Sequence, residues 1–388
     1  YAEAIGQYRT LLAAYPREME SYHRLAQLLR GESRHEESAA VLREGLAIDA
    51  EDPYLWNSLS AVQSEMGNHA EAVQAAKRFM ELKPGEANAY DTLALALDFS
   101  GASDRALEAL EQALRLNPTF GIARVHRQAM LARGGRLREA IEDTTRPDVL
   151  VSEGVSVQRY RSQAAYALWK VGREHESRAL IGTIDPALNA WGPYLLLDVK
   201  AAAAMRRSAI AGRSGRWGLR QQFYYLAEEA RVQNQPERRL THLREALRYR
   251  PSWGGMETLE DALGDAYLDA GRWDEAISEY QRALSRFPGT PLTRYHLAQA
   301  RARKRENVAA ARQYRLFLQA WASADEDLLQ IAEARQGAGA AGRSNADVRS
   351  TAAVRRAAGP KREVPGPVNP LLTEPHFWSE STVPRLMN

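Results

Sequence analysis

The chain has 388 residues, a formal net charge of +3 and no cysteine. The missing cysteine excludes disulfides, thiolate metal sites and cysteine nucleophiles, and no apolar run reaches the roughly 20 residues of a membrane span. Basic residues are almost all arginine, with lysine only at 77, 83, 170, 200, 304 and 361, a bias that points to a GC-rich bacterial genome rather than to a nucleic-acid surface.

Residue 1 is Tyr, and Ala4, Tyr8 and Pro16 fit the second helix of a unit whose first helix is missing. The array is therefore expected to begin upstream of Tyr1. From Pro16 the same helix-breaking punctuation returns near Ala50, at Pro84 and at Pro118, each 34 residues on. Between these marks residue types recur in register. Tyr22, Trp56 and Tyr90 share one position, Leu25, Leu59 and Leu93 the next, and Ala26, Ser60 and Ala94 follow. Ser38, Ala72, Ala106 and Ala140 mark a second close-packing site. A fixed period of this length is the signature of stacked helix–turn–helix units. Units are expected over 19–52, 53–86 and 87–120.

The period decays over 121–154, where the second helix runs into Thr144-Thr145-Arg146-Pro147. A poor unit starts near Arg159, with Ala164, Ala165, Leu168, Gly172 and Ile181. Residues 187–219 leave the period and read as an apolar helix from Tyr194 to Ala211 and a Gly/Arg loop ending at Trp217. Either the superhelical path shifts here or the repeats have eroded. Good units resume at 220. The clearest carries Leu263, Gly264, Tyr267, Gly271, Ala276, Tyr280, Ala283 and Pro288, and its neighbour carries Arg294, Leu297, Ala298, Ala310, Tyr314 and Phe317.

These residues resemble the tetratricopeptide repeat family, whose pattern is a large residue, Leu-Gly, Tyr, Gly, Ala, an aromatic, Ala and Pro. The resemblance covers most of 1–320 and implies an all-α solenoid of paired helices with a concave groove. Small residues at Gly264 and Ala276 let two backbones approach, Gly271 suits a left-handed turn, and Pro288 ends a helix. One unit cannot bury its apolar face, so stability comes from stacking. The segment from Ala320 to Arg335 resembles the closing FL-x-x-W-x-x-AD-x-DL of many bacterial repeat proteins, some of which carry an upstream kinase or regulator domain. It is expected to form a capping helix starting at Ser323 or Asp325. The resulting division is an N-terminal array at 1–154, a degenerate junction at 155–219, a C-terminal array with its closing helix at 220–335, and a linker with an extended tail at 336–388.

Several patterns are decoys. Gly337, Gly339 and Gly342 spell G-x-G-x-x-G but follow a helix and enter a linker, so they lack the strand that a dinucleotide site needs. The eight histidines form no i, i+4 pair or metal-ligand spacing. Asp325, Glu326 and Asp327 fit a helix N-terminus better than a cation site. No nucleophile and base stand in a recognisable pattern. No catalytic residue, metal or cofactor is expected.

In the family the first helix of each unit faces the concave side. That places Asn57 and Asp91 on the groove in the N-terminal array, with Tyr224, Glu228, Asp261, Asp265, Asp269, Tyr295 and Gln299 in the C-terminal one. The three aspartates recur at i, i+4 and i+8, on one helical face. With Glu228 they make an acidic floor, which is either solvated or tuned to a basic partner. A carboxylate clamp known in some family members does not carry over, because its two lysines and its arginine are missing from the matching positions His23, Gln27, Ser58, Asn88 and Thr92.

Six of the 17 prolines fall at 360, 365, 367, 370, 375 and 384, which reads as an extended or disordered tail. Leu371, Leu372, Phe377, Trp378, Leu386 and Met387 lie among them, a set that a merely solubilising tail does not need. Residues 369–388 are expected to dock as an extended peptide on another subunit, with docking in cis and plain disorder as alternatives. The resulting expectation is a non-enzymatic protein-interaction scaffold in a bacterial multiprotein assembly, with other protein subunits as partners and neither nucleic acid nor a membrane span. The alternative is the sensor region of a larger enzyme, such as a serine/threonine kinase with catalysis upstream of Tyr1. An exported or periplasmic setting is favoured over the cytoplasm by the lack of cysteine, and the oligomeric state stays open.

Overall fold

The computed structural model describes residues 2–142, 157–184, 215–249 and 259–339. The chain divides into two units, Tyr1–Gly342 and Arg343–Asn388, and every described residue belongs to the first. Among the described residues all regular structure is helical. The helices are α1 (Ala2–Ala14), α2 (Met19–Gly31), α3 (His35–Ile48), α4 (Pro53–Met66), α5 (His69–Leu82), α6 (Ala87–Phe99), α7 (Ser103–Leu116), α8 (Gly121–Arg133) and α9 (Leu137–Glu142). After them come α10 (Val157–Lys170), α11 (Glu174–Ile181), α12 (Gly215–Val232), α13 (Pro236–Arg248), α14 (Leu259–Asp269), α15 (Trp273–Arg286), α16 (Pro291–Arg303) and α17 (Asn307–Ala320). A last helix, α18, spans 329–339. The fold is an all-α solenoid of stacked helix pairs, from α2/α3 to α16/α17.

The period has a backbone cause. Ser33, Gly67, Gly101 and Gly135 stand 34 residues apart, and all have positive φ, at 59°, 82°, 87° and 77°. Each makes the left-handed turn between the two helices of its unit. Gly271 and Arg305, again 34 apart, do the same at 69° and 63°. The small residues mark where paired helices touch. Ser38 Oγ donates to the Ala26 carbonyl at 2.8 Å, Ser60 Oγ to that of Ala72 at 2.9 Å, and Ser177 Oγ to that of Ala165 at 2.7 Å. A hydroxyl here satisfies itself on the neighbouring backbone, so serine replaces alanine without an orphaned polar group. Gly264 is small for a different reason than expected. A Cβ there would meet the Tyr280 ring at 2.5 Å, so it makes room for a ring rather than for a second backbone. At the punctuation near Ala50, Asp52 accepts from the amides of Tyr54 and Leu55, both at 2.9 Å, and caps α4 ahead of Pro53.

The C-terminal repeats pack on the turns of the N-terminal ones. Arg286 Nη2 donates to the Glu65 carbonyl at 2.8 Å, beside the Gly67 turn. The Phe287 ring lies tilted at 47° against Phe99 with ring centres 5.4 Å apart, and Pro288 and Gly289 lie against Gly101. Trp321 Nε1 donates to the Arg133 carbonyl at 2.9 Å, and the Asp325 amide to that of Gly135 at 3.0 Å. A Cβ on Gly135 would fall 2.6 Å from Ala324 and 3.0 Å from the Trp321 ring. One apolar cluster therefore joins Leu131, Leu137 and Leu168 to Tyr314, Phe317, Trp321 and Leu328.

Three sequence expectations change. The closing helix starts at 329 rather than 323 or 325, after a turn over 321–328. Asp325 caps a different helix: its carboxylate accepts from the Arg138 amide in the first turn of α9 at 3.0 Å. The closing helix also runs on to 339, and Gly337 is needed in it, since a Cβ there would meet the Tyr314 ring at 2.4 Å. At the junction, α12 begins at Gly215, so Trp217 lies within a helix rather than at the end of a loop. Thr144–Pro147, Tyr194–Ala211 and the whole tail, including Leu371, Leu372, Phe377, Trp378, Leu386 and Met387, lie outside the described residues.

A candidate partner cleft between the repeats

First helices of neighbouring units present side chains to one another one period plus one residue apart. Ser58 Oγ bonds His23 Nδ1 at 2.9 Å, Thr92 Oγ1 donates to Asn57 at 2.8 Å, and His126 Nδ1 meets Asp91 at 2.8 Å. Arg30 pairs with Glu65 at 2.6 Å and Arg133 with Asp98 at 2.5 Å. These contacts, all 35 residues apart, fasten unit to unit. Asn57 and Asp91 are thus tied sideways, and Asp91 is buried, with 4% of its surface exposed. Burial also pushes the His23 ring below its ordinary value, against the pull of Glu20.

A cleft of about 310 Å³ lies between α10 of the degenerate junction and the C-terminal array. Its walls are Tyr166, Trp169 and Lys170 of α10, Tyr224, Glu228 and Arg231 of α12, and Arg239 of α13. Opposite stand Asp265, Leu268 and Asp269 of α14, with His296 and Gln299 of α16. Five of the expected groove residues, Tyr224, Glu228, Asp265, Asp269 and Gln299, therefore share one cavity. Asp261 faces an adjoining cavity, where it accepts from Thr293 Oγ1 at 2.6 Å. Tyr295 belongs to the core, 5.3 Å from the Phe317 ring. Its hydroxyl bonds Glu333 and accepts from Gln299 Nε2.

The acids of this cleft are compensated. Asp265 Oδ2 meets Lys170 Nζ at 2.9 Å, while its Oδ1 takes His296 Nδ1 at 3.0 Å and the Tyr280 hydroxyl at 2.8 Å. Burial opposes the charged form of Asp265, but Lys170 and His296 together outweigh it and hold the carboxyl well below the usual carboxylate range. Burial likewise works against the Lys170 ammonium, and Asp265 overcomes it, leaving the lysine raised. Arg231 pairs with Glu228 at 2.8 Å and lies 4.9 Å over the Trp169 ring. Arg239 pairs with Asp269 at 2.7 Å. Burial first, then Glu228, raises the Tyr224 hydroxyl, so it stays protonated. The expected acidic floor is thus a set of ion pairs, and sequence reasoning misses Lys170, Arg231 and Arg239. The one signal for Lys170 is its rarity in an arginine-rich chain.

Among the described residues no group of three or more histidine or acidic side chains is placed to hold a metal, and no helix is long and apolar enough to cross a membrane. Profiles described as tetratricopeptide repeat match residues 1–53, 87–120 and 257–300. The chain is a tetratricopeptide repeat protein. No curated protein matches it. Among solved structures it is similar to MamA, at 21% identity over 44% of this chain and 89% of that one, with a TM-score of 0.32. It is also similar to the Cut9–Hcn1 hetero-tetramer of APC/C, at 13% identity over 84% of this chain and 58% of that one, TM-score 0.46. A tetratricopeptide repeat protein from Parabacteroides merdae shares 15% identity over 73% of this chain and 98% of that one, TM-score 0.41. Tetratricopeptide repeat proteins bind other proteins and are generally non-catalytic interaction modules, and the paired helices here have that architecture.

Proposed function

We propose that this tetratricopeptide repeat protein is a non-enzymatic scaffold in a bacterial multiprotein assembly, which holds a partner subunit in the cleft between α10, α12, α14 and α16. The observation that carries this reading is the convergence of Tyr224, Glu228, Asp265, Asp269 and Gln299 on one cavity walled by first helices. Its aromatic lining suits a polypeptide, and Asp269, whose side chain is 67% exposed beside Arg239, is the acid open to a basic side chain. Nucleic acid is the poorer fit, because phosphate contacts require cations and those of the cleft already face Glu228, Asp265 and Asp269. The second element of the proposal is the tail, residues 369–388, as an extended anchor on another subunit through Leu371, Leu372, Phe377, Trp378 and Leu386.

Affinity capture from the source organism tests both elements. The full chain, an Asp269→Ala variant and a chain lacking 369–388 serve as baits, and mass spectrometry identifies what each retains. The expected result is a protein held by the full chain and lost from one or both variants, with helicity unchanged. Identical capture by all three baits would remove the cleft and the tail as partner surfaces.

A further inference from the structure

The acid row of the cleft already holds a cation. Lys170, the last residue of α10, reaches Asp265 from 95 residues away in sequence and is largely buried on it. Asp265 is braced for this contact from its other side. His296 and Tyr280 both hold Oδ1, at 3.0 and 2.8 Å, and leave Oδ2 to the ammonium. The carboxylate therefore keeps its place whether or not Lys170 is there. Arg239 covers the next acid, Asp269, whose side chain is still 67% exposed. The two cations differ in kind. The Arg239 side chain, 10% exposed, is a planar fork, whereas that of Lys170, 16% exposed, carries a point charge on a flexible four-carbon stem.

We propose that Lys170 is an intramolecular gate: its ammonium takes the place on Asp265 that a partner's lysine or arginine side chain fills, and the cleft accepts a basic segment when Lys170 leaves. The proposal rests on the reading of this cleft as the partner surface and adds the chemistry of the partner and the means of control. The lysine also ties α10 to α14 across the cleft, so its release widens the opening.

The absence of cysteine makes the test direct. Spin labels on Ala179→Cys in α11 and Gln281→Cys in α15, both exposed, report the distance across the cleft by double electron–electron resonance. Lys170→Met is expected to lengthen and broaden that distance, and Lys170→Arg to keep it. Fluorescein-labelled hexalysine, followed by anisotropy at low salt, is expected to bind Lys170→Met at least about tenfold more tightly than the unmodified chain, a difference of about 1.4 kcal/mol. The gain should vanish when Asp265→Asn is added. Should Lys170→Met fail to fold, Lys170→Gln repeats both measurements. Unchanged distances, or equal hexalysine affinity for variant and parent, overturns the gate. Failure of the gate is distinguishable from failure of partner capture, which reads Asp269→Ala and the tail and never alters Lys170.

Discussion

Arg305 holds a left-handed turn at φ 63° where Gly271, one period earlier, does so at 69°. A side-chain β-carbon in that conformation costs about 1–2 kcal/mol, partly offset by the greater entropy that glycine loses on folding. Arg305 is exposed, so Arg305→Gly should raise stability by about 0.5–1 kcal/mol, seen as a higher urea midpoint. A lower midpoint would show that the arginine contributes contacts worth more than the strain. Asp265 carries the opposite lesson. Both it and Lys170 are more than four-fifths buried, and breaking such a pair from one side costs about 3–5 kcal/mol. Its folded pKa is depressed, so its contribution is complete above the unfolded value near 4 and is lost as pH falls through the folded value. The gap in stability between the parent chain and Asp265→Asn should thus be widest at neutral pH and narrow by about 1 kcal/mol at pH 3. A constant gap from pH 7 to pH 3 would mean that Asp265 is not an anion in the folded protein.

At the scale of elements, the turn over 321–328 binds a helix pair far away in sequence. Asp325 caps α9 through the Arg138 amide, and Asp327 pairs with the Arg138 side chain at 2.9 Å. Asp325→Ala should cost about 1 kcal/mol, the value of a lost N-cap, and should speed hydrogen exchange at the Arg138 amide while leaving that of α4 and α5 unchanged. Uniform exchange across α9 in both proteins would deny the cap. This turn also shows what the sequence can and cannot reveal. The helix pairs, the turn at Gly271 and the shared face of Asp261, Asp265 and Asp269 are legible because each depends on spacing inside one repeat. The same local rule gives Asp325 to its own helix, whereas the true acceptor relation spans 187 residues. Gly337 reads as linker because only the Tyr314 ring, more than 20 residues back, explains it. The cleft is half legible for the same reason. Its acids sit on a regular helix face, but Lys170 and Arg239 arrive from other repeats, one of them too degenerate to be placed in register.

At the scale of the whole described molecule, contacts between distant repeats change how stability is shared. In an array where each unit touches only its neighbours, stability is a sum of units and interfaces, and ends can unfold without the middle. Here a single apolar cluster takes Leu131 and Leu137 from α8 and α9, Leu168 from α10, and Tyr295, Phe317, Trp321 and Ile331 from the C-terminal helices. Arg286 on Glu65 and Phe287 on Phe99 extend the joint over two further turns. Unfolding the C-terminal repeats must expose the apolar side of α8 and α9, so the two arrays are expected to melt in one calorimetric transition. Trp321 is the pivot. It is 3% exposed, lies 4.5 Å from the Phe317 ring and closes on Gly135. Trp321→Ala should cost about 3–5 kcal/mol through the cavity it leaves. It should also uncouple the arrays, so that the single transition separates into two. Two transitions already present in the parent chain, or one that merely shifts in the variant, would mean that nearest-neighbour stacking governs this protein and that the contacts at the turns are too weak to join its ends.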